Sequence, residues 1–465
     1  MKRLGTIDEA LDAIYSFVDY SMTHVQTTDA AVFSLAKIRE LMTRLGNPQE
    51  TFRSIHVAGT KGKGSVCALM SSELSSYGYK VGFYSSPHLI DFNERFQING
   101  KMIGNGRLLE LINRVLAVID DGFRPSTFDL MTAIAFCWFA EERVDFAVVE
   151  TGLGGRLDST NVVNPILTVI TSISMDHTAF LGDTIEAIAG EKAGILKAGV
   201  PAVVAPEHPD ALKTILTRAK AIGAPVVNVR ETYGFQRVAD DVHGQDVLFW
   251  RRVDQAVFNR WLDSAADEFS PARFHLNLVG LYQVLNAATA AAGLIRLKAD
   301  GYLPDAGLSF NGFAGAEWPG RFEVMRLDGE RTVVLDGAHN PDSAEKLTVA
   351  VNRYFGVRRI GFVVGFSEDK NAAAMIETFG AVGAVFIATR STHPRAADPA
   401  EIAAQVRVNG RPVSVCETLE GALAEMRRMT DVEVFIVTGS LFVAGGMRSL
   451  LLGRELRRPD RKSVV

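Results

Sequence analysis

The stretch Gly59-Thr60-Lys61-Gly62-Lys63-Gly64-Ser65 packs two ammonium groups, three glycines and two hydroxyls into consecutive positions. An apolar run (Ile55, Val57, Ala58) leads into it, and a helix-like pattern leaves it from Ser65. A strand that turns through glycines into a helix aims several unpaired backbone N–H groups at one point, where the helix dipole adds positive potential. That arrangement attracts phosphate. Lys63 can reach β and γ phosphates, and Ser65 carries the hydroxyl that such loops use to hold Mg²⁺. Gly64 stands between the lysine and the serine, a departure from the standard pattern. A purely structural turn is the alternative reading, but such a turn gains nothing from like charges placed together.

Two apolar runs end in metal-ligand chemistry. "VDFAVVE" ends in Glu150, and "PILTVITSIS" is followed by Asp176 and His177. Ligands of open α/β sheets gather beyond the carboxyl ends of the strands. Carboxylate, imidazole and serine hydroxyl together suit a hard divalent cation bound to nucleotide. Taken singly, Glu150 could be a helix-capping acid and His177 a core histidine. The glycines of "TGLGGRLDSTN", residues 151–161, permit close backbone approach or simply a positive φ.

The elements that must position these groups show an alternating rhythm. Apolar residues at helical spacing (Leu11, Ile14, Phe17, then Val32, Leu35, Ile38, Leu41, Leu45) predict two helices before the loop. "SIHVAG", "KVGFYSS", "VDFAVVE", "PILTVITSI" and "VPAVVAP" read as strands separated by helical segments, a parallel sheet covered on both faces. Residues 226–278 alternate in short runs and predict a small antiparallel patch, followed by a strong helix at "QVLNAATAAAGLIRL". The Gly- and Pro-rich stretch "KADGYLPDAGLSFNGFAGAEWPG" reads as linker. The βα rhythm then restarts at "TVVLD". We therefore expect a first domain over 1–297, a hinge over 298–321, a second α/β domain over 322–453 and a frayed basic tail over 454–465.

Bulk properties narrow the function classes. A chain of 465 residues exceeds one core. Its net charge of −5 offers no field to recruit nucleic acid. Cys67, Cys137 and Cys416 lie far apart, which excludes a disulfide framework or thiolate metal site and suits a reducing compartment. No signal peptide opens the sequence and no window is apolar enough to span a membrane. A cytoplasmic location follows as the expectation.

Six segments together carry a family resemblance: "HVAGTKGKGS", "SSPHLIDFNERFQING", "ETGLGGRLDSTN", "SMDHTAFLGDTIEAIAGEKAGILK", "EWPGRFE" and "LDGAHNP". In order and spacing they resemble folylpolyglutamate synthase and dihydrofolate synthase, a branch of the Mur ligase superfamily, from about residue 5 to 453. The resemblance implies an N-terminal P-loop ATPase domain, a C-terminal Rossmann-like domain and an active site between them. It implies that Gly59, Thr60, Lys61, Gly62, Lys63, Gly64 and Ser65 hold ATP phosphates, with Ser65 and Glu150 on one Mg²⁺ and His177 on a second. Lys192 matches a lysine that the family carries as a metal-ligating carbamate. Asn286 matches a nucleotide contact, next to Tyr282 where many relatives have histidine. Arg321 matches an arginine near the phosphates, and Asp336 and His339 match the second domain's share of ribose and cleft. Phe128 and Asp158 match the pterin pocket. His88 and Arg95 fall in the family's mobile loop, with no catalytic role.

The implied reaction is ATP-dependent amide formation through an acyl phosphate, with L-glutamate joined to dihydropteroate, to a reduced folate, or to both. Lys63, Lys192, His177 and Arg321 are its expected catalytic groups, with ATP, two Mg²⁺ and a monovalent cation as cofactors. The expected form is a monomer with no membrane or nucleic-acid partner. Two alternatives stand beside it. One is a Mur-type ligase for a cell-wall nucleotide precursor, which needs a further N-terminal domain that a phosphate loop at residue 59 leaves no room for. The other is a nucleotide-dependent regulatory ATPase, which needs no second domain containing "LDGAHNP".

Overall fold

The structure, a computed structural model, describes residues 3–17, 34–264, 269–304, 307–368 and 370–454. Val32 and the tail beyond Arg454, both read above, lie outside them. The expected helices Ile7–Tyr15 and Ala36–Arg44 are present.

Eight strands build the first sheet: β1 (Arg53–Ala58), β2 (Val81–Tyr84), β3 (Phe96–Ile98), β4 (Lys101–Met102), β5 (Phe146–Glu150), β6 (Pro165–Ile170), β7 (Ala202–Val204) and β8 (Val226–Asn228). Their order is β4-β3-β2-β5-β1-β6-β7-β8. β1 pairs in parallel with β5 on one side and β6 on the other. Both partners therefore end at the mouth of the phosphate loop. β1 and β5 are buried almost throughout because helices cover both faces. The helix Lys63–Ser76 leaves the loop with almost no exposed face. It packs on the sheet beside the Ala-rich helix Leu281–Ala299, where small side chains allow close approach.

The parallel sheet is extended by an antiparallel pair, of which β3 lies in the segment matched to the family's mobile loop. β3 pairs antiparallel with both β2 and β4. The turn before β3 is organised by Glu94, whose carboxylate accepts the N–H groups of Leu89, Ile90 and Asp91 at 2.6, 3.0 and 2.9 Å. Arg95, buried, donates from Nε to His88 Nδ1 at 2.9 Å. These contacts support the loop.

The antiparallel patch is present as β9 (Tyr233–Asp240), β10 (Gln245–Arg251) and β11 (Ala272–Leu276). It differs from the reading in two ways: β8 belongs to the first sheet, and a helix, Gln255–Ser264, interrupts the strands. The Gly-rich stretch read as linker is also more structured than its composition implies. Phe310 and Phe313 enter the first core, and Glu73, buried, accepts from Gly312 N–H and Tyr77 O–H at 2.7 Å each.

A third sheet carries β12 (Glu323–Leu327), β13 (Arg331–Leu335), β14 (Ile360–Val364), β15 (Val385–Ala388), β16 (Val413–Val415) and β17 (Val434–Thr438) in the order β12-β13-β17-β14-β15-β16. Only β12 runs antiparallel. Apolar clusters line both faces of this sheet.

The two lobes touch where the β9–β10 hairpin reaches the helix Pro341–Phe355. Val242 packs on the second lobe's core, and Arg353 donates to Asp240 from Nε at 2.7 Å. The Arg353 hydrogen bonds draw the Asp240 carboxyl down to about 2. A depressed folded-state pKa means that the stabilisation is complete above the ordinary carboxylate value of about 3.9 and disappears as pH falls toward the folded value. Asp240→Asn should therefore cost about 1 kcal/mol near neutral pH, allowing for solvent at the half-exposed Arg353. Thermal melts compared across pH should show the gap between variant and wild type closing below about pH 4; a gap that is constant with pH would exclude this ion pair as its source.

Candidate active site

A cleft of about 1340 Å³ opens between the lobes, with the phosphate loop on one wall and residues of the second lobe, including Asp336 and His339, on the other. The two loop lysines face opposite ways. Lys63 Nζ lies 3.8 Å from Glu150 Oε1 at the end of β5. Lys61 Nζ lies 2.8 Å from Asp176 Oδ2, beyond the end of β6. Each lysine thus has its own carboxylate, from the strand on its own side of β1. This is how the fold tolerates two like charges between glycines.

The glycines are required by packing. A Cβ on Gly59, Gly62 or Gly64 would fall inside 3.0 Å of Thr171 Oγ1, Asn286 Oδ1 or the Trp318 ring, respectively. Gly62 also holds φ +86°, in the left-handed region. Thr60 is spent on the loop itself: its N–H donates to Ser172 at 2.7 Å, and its hydroxyl exchanges bonds with Ser174 at 3.2 Å. Asn286 is oriented by donation from Nδ2 to Gln283 Oε1 at 2.8 Å.

Burial sets the ionisation of the remaining groups. Glu150 is buried and pushed up to about 7, with Lys63 pulling against the desolvation. Its Oε2 is buried with no hydrogen-bond partner, which marks it as an available ligand atom. Lys192 is buried, donates to the Gly59 carbonyl at 2.9 Å, and is pulled down to about 7 by desolvation and then by Lys63. Burial alone would raise the Asp176 carboxyl, but the Lys61 ammonium outweighs it and keeps the group ionised far below its usual range. His177, half-exposed at the cleft edge, caps the short helix Thr178–Leu181 with φ +49°. Among the described residues no cluster of three or more His, Cys, Asp or Glu could hold a metal unaided. A cation here needs Glu150 and Ser65 together with oxygens from a bound molecule, and the orphaned Glu150 oxygen fits that requirement.

Arg321 stands between the lobes and its charge is felt at Glu150, Lys61 and Asp336. Asp336 is buried and accepts the N–H groups of Phe322 and Ala338 at 2.8 and 2.9 Å, so it secures the entry into the second lobe. Tyr282 lines the cleft and packs over Gly280.

Gly59 and Lys192, bonded to each other, are expected site residues that do not line the cleft, and two more stand behind its wall. Phe128 packs against Gly152, which does line the cleft. Asp158 accepts the N–H of Leu153 at 2.8 Å and of Thr160 at 3.0 Å, and also the Thr160 hydroxyl. It is thus the cap of its own loop, as expected for an Asp one step before a helical turn. Neither is a cleft-lining residue.

The cleft wall also carries residues outside the motifs above. Trp318 lies over the phosphate-loop helix and 5.5 Å from the Phe83 ring. Ser440 caps the helix Leu441–Leu451, and Lys370 and Arg395 join it on the cleft wall. The signal for Ser440 was available, since "VFIVTGSLF" repeats the strand–glycine–hydroxyl–helix grammar of the first loop. Lys370 and Arg395 sit in loops with no such pattern.

A phosphate loop on a parallel sheet, facing a second α/β lobe across a charged cleft, defines a Mur-type ligase. Profiles of the Mur ligase middle domain and of the Mur ligase glutamate ligase domain match residues 57–294 and 320–441. The chain is 35% identical over 432 residues to the dihydrofolate synthase/folylpolyglutamate synthase of Bacillus subtilis, covering 90% of this chain and 94% of that one. Folylpolyglutamate synthase from Thermotoga maritima superposes with a TM-score of 0.82 at 31% identity, covering 97% and 98% of the two chains. E. coli FolC, solved in complex with DHPP and ADP, superposes at 0.81 with 26% identity and coverage of 97% and 99%. The chain belongs to the dihydrofolate synthase/folylpolyglutamate synthase family.

Proposed function

We propose that this protein is an ATP-dependent ligase that joins L-glutamate to dihydropteroate, to the γ-carboxyl of a reduced folate, or to both, through an acyl phosphate, releasing ADP and phosphate. The observation that carries this is the pairing of Lys63 with Glu150 and of Lys61 with Asp176 at the seam of two lobes. Both reactants of the first step are anions, so their approach needs cations in a water-excluded place. Relatives solved with ADP support the nucleotide, and the matched glutamate ligase domain supports the amino acid.

In this reading Lys63 neutralises the transferring phosphoryl group, and Arg321 adds a planar fork when the lobes close. Asn286 orients the nucleotide, with Asp336 and His339 completing its pocket from the second lobe. Ser65 and Glu150 would hold one Mg²⁺, and His177 and Lys192 as a carbamate a second, with a monovalent cation nearby. These ions would offset charge on the phosphates. At neutral pH a Lys192 near pKa 7 supplies the neutral amine that adds carbon dioxide, and the carbamate nitrogen keeps an N–H for the Gly59 carbonyl. Carbon-13 NMR with labelled bicarbonate at neutral pH tests this; a spectrum without a carbamate carbonyl signal excludes it. Phe128 and Asp158 would shape the pterin pocket from behind Gly152. The lobes 1–297 and 322–453 would move about 298–321. No helix among the described residues is long and apolar enough to cross a membrane. We take the protein to be a cytoplasmic monomer without nucleic-acid partners.

Phosphate release should require ATP, glutamate and the pteroate or folate acceptor together. Release indifferent to the last two would favour the regulatory ATPase. Glu150→Gln keeps the shape and removes the ligand charge. The Mg²⁺ concentration for half-maximal rate should rise about 10-fold or more, with kcat down about 100-fold. An unchanged Mg²⁺ dependence would remove Glu150 from the metal site.

A further inference from the structure

The two lysines of the phosphate loop are not equivalent. Among the described residues Lys63 has a partner only in its own lobe, whereas Lys61 Nζ also lies 3.4 Å from His339 Nε2, in the other. The geometry of His339 fixes what that contact is. Its Nδ1 is 2.8 Å from the Gly337 carbonyl, which can only accept, so Nδ1 carries the proton. Nε2 then presents a lone pair, and an ammonium can only donate to it. His339 is further held by donation from its N–H to Ser343 Oγ at 3.1 Å, at the start of the helix Pro341–Phe355. Lys61 is equally well seated. Its carbonyl accepts the hydroxyls of Thr171 at 2.7 Å and Ser172 at 3.1 Å, which ties its backbone to the end of β6.

Both ends of this contact are therefore anchored, one to each lobe. The charge on Lys61 is already answered by Asp176 at 2.8 Å, closer than the 3.8 Å between Lys63 and Glu150. Lys61 is thus the poorer cation for a polyphosphate and the better tether. We propose that Lys61 is a positioning residue, which registers the second lobe on the phosphate loop through the bond from its ammonium to His339 Nε2. Its role is to place the second lobe's groups opposite Lys63 when the cleft is closed. The inference rests on the ligase reading, because that closed cleft is where the phosphoryl group would move. A displaced phosphate loop would carry Lys61 away from His339, so closure registers only on a correctly formed loop.

The test is a double-mutant cycle on glutamate-dependent phosphate release with Lys61→Met and His339→Leu. Lys61→Met alone should lower kcat about 10-fold and change the KM for ATP less than about 3-fold. In the His339→Leu background the same change should cost less than about 2-fold, because the tether is already cut. Lys61→Arg, which keeps donors for both partners, should stay within about 3-fold of wild type. Equal losses in both backgrounds, or a loss confined to the KM for ATP, would overturn the proposal. A second measurement does not need activity. Spin labels on the exposed positions Arg218 and Arg407, with the partly exposed Cys416 replaced by serine, report the lobe separation with ADP bound. Lys61→Met and His339→Leu should broaden that distance distribution alike, and an unchanged distribution in Lys61→Met would refute the tether. A wild-type protein without glutamate-dependent release would sink the ligase reading instead, and the distance measurement would still decide the role of Lys61.

Discussion

Lys63→Met should lower kcat for ligation by about 1000-fold, roughly 4 kcal/mol of transition-state stabilisation. Three losses converge in this one change. The first is direct, because the ammonium that would meet the β and γ phosphates is gone. The second acts on Glu150, where burial raises the carboxyl and Lys63 is the largest opposing influence. Without it the carboxyl protonates more readily and is a weaker metal ligand. The third acts on Lys192, where Lys63 is second only to desolvation in holding the amine down to about 7. Without that repulsion the amine is more often a cation, which cannot take up carbon dioxide. Extra Mg²⁺ competes with the proton at Glu150 and should rescue only that share, leaving the direct loss in place. Single-turnover phosphate release with saturating ATP is the measurement, and a rate within about 3-fold of wild type would exclude Lys63 from phosphoryl transfer.

What the sequence made legible is what repeats locally. The strand–loop–helix grammar around Gly59 and the continuous apolar run of β5 are local signals, and both survive in the structure. Strands as short as β3 and β4 carry too few residues for a period to register. Their pairing is instead enforced by Glu94 gathering three N–H groups ahead of them. The lysine–carboxylate pairs were only half visible: the residue types were plain, but which carboxylate serves which lysine depends on strand order, which places β5 and β6 on opposite sides of β1. Asp158 shows the converse. Its motif matches a substrate-pocket segment, yet its oxygens are taken by its own loop, a fact that only three-dimensional bookkeeping reveals.

The loop glycines show best why local reading stops short, and they lead to the second large effect. From sequence they read as a turn that aims backbone N–H groups at phosphate. The structure gives each a neighbour from elsewhere in the chain: Thr171 after β6, Asn286 on the helix Leu281–Ala299, and Trp318 between the lobes. The loop is therefore where three distant segments close on one another, and its glycines should matter to stability with no nucleotide present. Gly62→Ala should lower the melting temperature by roughly 5 °C, reflecting about 1 kcal/mol for a side chain at positive φ and about 2 kcal/mol for the displacement of Asn286. Adding Asn286→Ala should return part of that loss, because the clash is relieved while the backbone strain stays. If Gly62→Ala instead melts with wild type and loses only nucleotide affinity, then the glycine serves the phosphate alone and the packing account is wrong. If it melts early and the double variant recovers, the phosphate loop owes its shape first to the protein around it, and its fit to phosphate follows from that shape.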